Sequence, residues 1–199
     1  MKVAIVHDWL TNMGGAEKVV LELSKIYPNA PIYTSVFDKV KMPEFADKDV
    51  RTTWLQKLPF RFKHQLWAPL RPLAFRSLDL REYDVVISSS SAEAKQIKVR
   101  GDAIHICYCH TPIRYFWSEY DRYKKDPGLG ILNIFAPIVM PLFVNPLRRS
   151  DKKAAQRVDK FIANSHYIAQ QIKKYYDRSA KFINPPVDVA RFNPKIQPL

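Results

Sequence analysis

Two adjacent glycines, Gly14 and Gly15, separate a short apolar run from a segment with helical spacing. The run, Val3 to Val6, is β-branched and typical of a buried strand, whereas the later apolar residues fall on one helical face: Val19, Val20, Leu23 and Ile26. Glycines at such a turn let the first amides of the helix approach a phosphate. The stretch matches neither GxGxxG nor GxxxxGK[ST], so neither a nicotinamide site nor a P-loop is indicated, and a tight turn without a ligand is the alternative.

Three other polar segments follow apolar runs. SSSSAEAKQ starts at Ser88, HTPIRYFW starts at His110 and NSHY starts at Asn164. In open parallel sheets, ligands collect at the carboxyl ends of the strands. We therefore expect the glycine turn and these three segments to meet at one edge, called the carboxyl rim below.

Short apolar runs alternate with helical stretches along the whole chain. This alternation predicts an α/β fold with an open parallel sheet and helices on both faces. The predicted strands are Lys2 to Val6, Ile32 to Phe37, Val50 to Leu55, Asp84 to Ser88, Ile104 to Cys109, Lys160 to Ala163 and Lys181 to Ile183.

Composition fits one compact domain, with 199 residues of which 47% are hydrophobic and 26% are charged. The 32 Lys and Arg residues against 19 Asp and Glu give a formal charge of +13, which favours an anionic partner: nucleic acid, an acidic membrane face or a phosphorylated substrate. The two cysteines, Cys107 and Cys109, lack zinc-ligand spacing and favour a reduced, cytosolic setting. The first residues have no signal-peptide pattern.

Residues 50–78 contain cations and aromatic rings but no acidic residue. This mixture suits an anionic membrane interface, or single-stranded nucleic acid, although no nucleic-acid motif is present. A solvated face over an aromatic core is the alternative. The cations are Arg51, Lys57, Arg61, Lys63, Arg71 and Arg76, and the rings are Trp54, Phe60, Phe62, Trp67 and Phe75.

A second tract, Pro127 to Leu147, carries no charge and is long enough to span a membrane. Three internal prolines, Pro137, Pro141 and Pro146, argue against a span. We expect a kinked helix that is partly buried and dips into a lipid surface; a buried helix without a membrane role is the alternative.

Five segments together resemble the N-terminal lobe of retaining glycosyltransferases of family 4, in the two-lobed, Rossmann-like GT-B architecture. They are HDWLTNMGGAEKV, DVVISSSSAEAKQI, HICYCHTPIRYFW, DKFIANSHYIAQQIKKYY and NPPVDVARF, in the family's order and spacing. The likeness is strongest to bacterial mannosyltransferase-like enzymes that build surface polysaccharide.

The resemblance implies roles for three residues. Gly14 and Gly15 match the turn whose amides face the donor's diphosphate, and His110 matches the histidine that reaches the transferred sugar. A neutral imidazole can hydrogen-bond a hydroxyl without adding charge, which suits that catalytic role. A structural histidine is the alternative.

Other polar residues of these segments are expected to line the cleft on the acceptor side. Cations there suit an acceptor's phosphate, and tryptophan suits a sugar face. For the pair before the last predicted helix, which ends near Tyr176, helix capping is an equal alternative. The expected residues are Asp8, Trp9, Ser90, Ser91, Lys95, Arg114 and Trp117, and the pair is Asn164 and Ser165.

By this resemblance, residues 1–185 form the acceptor-side domain, and residues 186–199 form a linker toward a C-terminal lobe that binds the nucleotide. The donor would be a nucleotide-diphosphate sugar, with GDP-mannose as a candidate, and neither cofactor nor metal is implied. The acceptor would be lipid-linked or a growing glycan, and the protein would be cytoplasmic, peripheral at the inner membrane face. The rival hypotheses are a non-catalytic membrane- or partner-docking subunit of a split enzyme and a single-strand nucleic-acid binder.

Overall fold

A computed structural model describes residues 1–62, 67–125, 136–187 and 189. Within these residues the chain forms seven strands and five α-helices, joined in places by short 3₁₀ helices, so strands and helices follow one another as the apolar pattern predicts. The strands are β1 (Val3–His7), β2 (Ile32–Thr34), β3 (Val50–Thr52), β4 (Val85–Ser90), β5 (Ile104–Cys109), β6 (Lys160–Ala163) and β7 (Ala180–Phe182). The helices are α1 (Gly15–Ile26), α2 (Arg71–Arg76), α3 (Tyr120–Lys125), α4 (Ala136–Gln156) and α5 (His166–Tyr176).

All seven strands pair in parallel, in the order β3-β2-β1-β4-β5-β6-β7. The order reverses direction between β1 and β4, which is the position where Rossmann-like sheets open a crevice for ligands. The predicted fold class, a Rossmann-like open parallel sheet with helices, is confirmed. The carboxyl rim therefore has its centre where His7 stands beside Ser89 and Ser90 stands beside Cys109.

Adjacent residues of β1 show how the sheet is covered. Ile5 packs with Val20 of α1 on one face, while Val6 packs with Phe75 of α2 on the other. Farther along, Cys107 of β5 packs against α4 and α5. Helices on both faces leave the strand ends as the edge where polar groups can collect.

The serine run differs from its expected position. Ser88, Ser89 and Ser90 belong to β4 and are buried, rather than forming a loop after it. Their backbones pair with β1 on one side and β5 on the other, and the Ser88 hydroxyl lies 2.8 Å from Nε2 of His105. Pairing on both sides satisfies the backbone and overrides the weak strand propensity of serine.

Only part of the predicted kinked helix can be compared, because residues 126–135 lie outside the described part of the chain. From Ala136 onward the chain is helical, and α4 contains Pro141 and Pro146. Within the described ranges, no helix is both long and apolar enough to cross a membrane.

The basic, aromatic segment divides into an exposed part and a buried part. Phe60 is 69% exposed and is followed by the exposed Arg61, whereas Arg71 and Phe75 are buried. Lys63 lies outside the described residues. Arg71 is therefore unavailable to a lipid headgroup, contrary to the expectation that all six cations form one surface.

Candidate active site at the carboxyl rim

His110 directly follows β5, beside the switch between β1 and β4. Its backbone N–H donates to the carbonyl of Ser90 over 2.9 Å, and Nδ2 of Asn164 donates to its carbonyl over 3.2 Å. Nε2 lies 2.8 Å from the Ser89 hydroxyl, and the ring centroid lies 5.1 Å from that of Tyr108. Residues from β4, β5 and the β6–α5 junction thus hold one half-exposed imidazole.

The charge state of His110 follows from its surroundings. Burial, together with the nearby imidazole of His7, lowers the pKa of His110 to about 4, although the carboxylates of Asp8 and Glu17 act in the opposite direction. The ring is therefore neutral at physiological pH, so its contact with a sugar hydroxyl would add no charge to the site.

The glycine turn is a helix start, as predicted. Gly14 is the N-cap of α1 and Gly15 is its first residue. A Cβ on Gly14 would lie 2.8 Å from Oε2 of Glu17, whereas a Cβ on Gly15 would meet no atom within 4 Å. A side chain at position 14 would therefore displace the Glu17 carboxylate, whereas the space beside Gly15 is open.

Glu17, the third residue of α1, turns back over this turn. Burial tends to raise the pKa of its carboxyl, but the hydrogen bond and charge of His7, with the amides of Glu17 itself and Gly14, lower it overall. This is the glutamate half of a capping box. The amide of Gly14, expected to face a diphosphate, thus already has an anionic partner.

His7 and Glu17 are site residues that the sequence interpretation missed. His7 ends β1 and is buried, and its Nε2 lies 3.4 Å from Oε1 of Glu17. The signal was present: a histidine at a strand end, and a glutamate three residues after the cap glycine.

Asp8 positions the segment after β4. Its buried carboxylate accepts hydrogen bonds from the amides of Ser91, Ala92 and Ala94, at 2.6, 2.9 and 2.7 Å. The Ser90 hydroxyl is also buried and donates to the Ala92 carbonyl over 3.2 Å. Asp8 and Ser90 were expected to face an acceptor, but both side chains instead bind backbone groups of the segment after β4. Ser91 is half-buried.

Lys95 also differs from its expected place. Its side chain is 1% exposed, and its ammonium lies 2.6 Å from Oδ1 of the buried Asp151. The Trp117 indole N–H and the Tyr176 hydroxyl both donate to Oδ2 of the same residue, each over 2.8 Å. The Lys95 ammonium is stable in the interior because the Asp151 carboxylate balances its charge. Lys95 is therefore not available to bind an acceptor's phosphate. The Trp117 indole N–H also points inward, toward Asp151.

A second buried ion pair supports the rim. Nε of Arg71 lies 2.8 Å from Oε2 of Glu93, and the Tyr115 hydroxyl donates to Oε1 of Glu93 over 2.7 Å. The Arg71 guanidinium also lies 4.9 Å from the ring centroid of Trp9. Trp9 was expected to stack on a sugar, but the Arg71 guanidinium lies over its ring. The contacts among Arg71, Glu93 and Tyr115 join α2 to the segments after β4 and β5.

The remaining expected residues lie at the edges of the site. Arg114 is exposed and pairs with Glu119 over 3.5 Å. Ser165 is the N-cap of α5 and accepts from the amide of Ile168 over 3.2 Å, while Asn164 contacts His110. Capping thus explains Ser165, whereas Asn164 belongs to the group around His110.

The sequence of this chain matches one known protein family over most of its length. The model of "Glycosyltransferase Family 4" matches residues 13–191. The chain belongs to glycosyltransferase family 4. No curated protein matches the chain. In this glycosyltransferase domain the matched range contains both Gly14 and His110, while His7 lies just outside it.

The rim of this glycosyltransferase domain can supply neutral donors and acceptors. His110 offers an uncharged imidazole, Asn164 an amide, and Gly15 the backbone N–H of the first residue of α1. Among the described residues, no group of three or more histidine, cysteine or acidic side chains could hold a metal ion. The arrangement suits hydrogen bonding to a sugar and its leaving group.

Proposed function

We propose that this domain is the acceptor-side lobe of a retaining glycosyltransferase that uses a nucleotide-diphosphate sugar, with a lipid-linked or growing glycan as acceptor in surface polysaccharide synthesis. The observation that carries the proposal is the neutral His110 at the switch of the sheet, held by Ser89 and Asn164. Its imidazole can hydrogen-bond the transferred sugar without competing for the negative charge of the donor.

Cleavage of the bond between the anomeric carbon and the donor's diphosphate requires the departing diphosphate to be stabilised. At the glycine turn, this lobe offers the amide of Gly15, while Glu17 covers Gly14. The cations for the diphosphate and the pocket for the base would then come from a second lobe across the cleft. GDP-mannose remains the candidate donor.

A location at the inner membrane face is part of the proposal. It is supported by exposed rings beside cations after β3, where Trp54 is 39%, Phe60 69% and Phe62 37% exposed. Lys57 and Arg61 interleave with these rings. Such a surface suits anionic lipid headgroups and would bring a lipid-linked acceptor to the rim.

Calorimetric titration of the purified chain tests the acceptor-side assignment. UDP- and GDP-sugars should bind at most with millimolar affinity, about 4 kcal/mol. A polyprenyl-diphosphate sugar in detergent should perturb the NMR signals of His110 and Asn164. Micromolar binding of a nucleotide sugar, or transfer of its sugar by this chain alone, would contradict the assignment.

A further inference from the structure

The imidazole of His7 has oxygen atoms at both nitrogens. Nδ1 lies 3.0 Å from the carbonyl oxygen of Ser89, and Nε2 lies 3.4 Å from Oε1 of Glu17. The ring is 2% exposed, so water has little access to either nitrogen.

Both of these oxygen atoms can only accept hydrogen bonds. A carbonyl has no proton to donate. Burial raises the pKa of the Glu17 carboxyl, but the amides of Gly14 and of Glu17 itself donate to it and favour the carboxylate whatever the charge on His7. A neutral imidazole would turn one unprotonated nitrogen toward one of them. Hydrogen bonds at both nitrogens require both to carry a proton.

His7 also joins two parts of the proposed site. On one side Glu17 reaches from His7 to the Gly14 turn. On the other side Ser89 accepts from His7 through its carbonyl and contacts His110 through its hydroxyl, at 2.8 Å from Nε2. His7 is therefore linked to the glycine turn through Glu17 and to His110 through the backbone and side chain of Ser89.

We propose that His7 is a buried imidazolium, paired with Glu17, that acts as a positioning residue between the glycine turn and His110. The role in the reaction rests on the proposed function of His110, whereas the charged state of His7 rests on the contacts alone. The charge is stable in the interior because a carboxylate accompanies it.

The imidazolium of His7 also affects the pKa of the neighbouring His110. The charged or titratable groups around His110 are His7 at the end of β1, Asp8 just after it, Glu17 on α1 and Tyr108 on β5. Besides burial, the charge of His7 opposes a proton on His110. One histidine is therefore kept charged and the other neutral.

Nitrogen-15 NMR of the imidazole rings in the purified chain tests the proposal. At pH 7 we expect His7 to show two protonated nitrogens and His110 to show one. In His7→Gln, which keeps an N–H donor but removes the charge, the pKa of His110 should rise from about 4 by about one unit. His105 is an internal control, because burial lowers its pKa to about 4 and it contacts Ser88 rather than His7.

If His7→Gln does not fold, a second variant tests whether His7 carries a charge. Glu17→Gln should leave His7 with a single ring proton at pH 7, whereas Glu22→Gln, farther along α1, should leave two. A neutral His7 in the unchanged chain, or an unshifted His110 in a folded His7→Gln, would overturn the proposal. These measurements involve no sugar transfer, so a failure of His110 as a catalytic residue would be recognised separately.

Discussion

The side-chain hydroxyl of Ser89 lies 2.8 Å from Nε2 of His110, across the junction between β4 and β5. A hydroxyl can donate or accept, so it fixes the ring without requiring a charge on it. The orientation of the proposed sugar contact thus depends on a residue of the central strand, not on a mobile loop.

Replacing His110 tests its proposed contact with the donor sugar. In an assay that includes the proposed nucleotide-binding lobe, His110→Ala should lower the rate of sugar transfer by roughly 100-fold, the usual scale for loss of a positioned polar group. Circular dichroism and thermal unfolding should remain close to those of the unchanged protein. Unchanged turnover in a folded His110→Ala protein would show that His110 has no part in the reaction. His166→Gln, which replaces an exposed histidine on α5, is the control.

His105 and His110 predict a pH dependence of stability. Burial is the main cause that lowers the pKa of His105 and of His110 to about 4, from 6.5. Between these values the unfolded chain binds protons that the native protein does not, so the free energy of unfolding falls as pH decreases. The loss is on the order of 3 kcal/mol per histidine by pH 4.

Urea unfolding at pH 7 and at pH 4.5 measures this loss. His166→Gln should show the same pH dependence as the unchanged chain, because His166 is exposed. Equal unfolding free energies at the two pH values would show that the rings of His105 and His110 are not held neutral.

The interior pair of Lys95 and Asp151 predicts a large stability effect. Asp151→Asn leaves a buried ammonium without its counter-charge and should cost about 3–5 kcal/mol. Asp177→Asn is the matched control, since Asp177 pairs with Lys173 over 2.6 Å at the exposed end of α5. Chemical denaturation should separate the two variants clearly, and similar midpoints for both would contradict a buried ion pair.

Membrane association is expected to depend on the exposed surface after β3. The chain should co-sediment with anionic vesicles and be released by salt. Arg61→Glu changes the local charge by two units, at about 1 kcal/mol each, so partition should fall roughly 30-fold. Arg81→Glu makes the same charge change at an exposed position paired with Asp79 and should have little effect.

Two outcomes of the vesicle experiment would contradict membrane binding. One is equal partition onto neutral and anionic vesicles, and the other is retention of the protein at high salt. Tight binding of poly-U, lost in Arg61→Glu, would instead favour the single-strand nucleic-acid hypothesis.

Much of the fold could be predicted because it follows from local apolar patterns. β5 and β6 have the predicted bounds, and α5 ends at the predicted Tyr176. β2 was predicted to continue to Phe37 but ends at Thr34, opposite the end of β1, and Phe37 forms an isolated parallel bridge with Leu10. Strand length depends on partners that are distant in the sequence, so a local pattern fixes it poorly.

The candidate site was predicted less completely. The sequence indicated which segments meet at the rim, because parallel strand ends share one edge. It could not show that Asp8 binds the amides after β4 or that Lys95 meets Asp151, since these contacts join residues 56 to 86 positions apart in the chain.

The sequence by itself determined the alternation of strands and helices, the glycine turn and the family. Hydrophobic period, glycine position and segment order are properties of the chain that no distant contact can alter. Only the tertiary structure decided which polar residues face the rim and which are buried. Lys95 and Arg71 pair with buried carboxylates, and oxygen atoms lie beside both ring nitrogens of His7. The free energy of a charged group depends on its burial and its partners, and both exist only after the strands assemble.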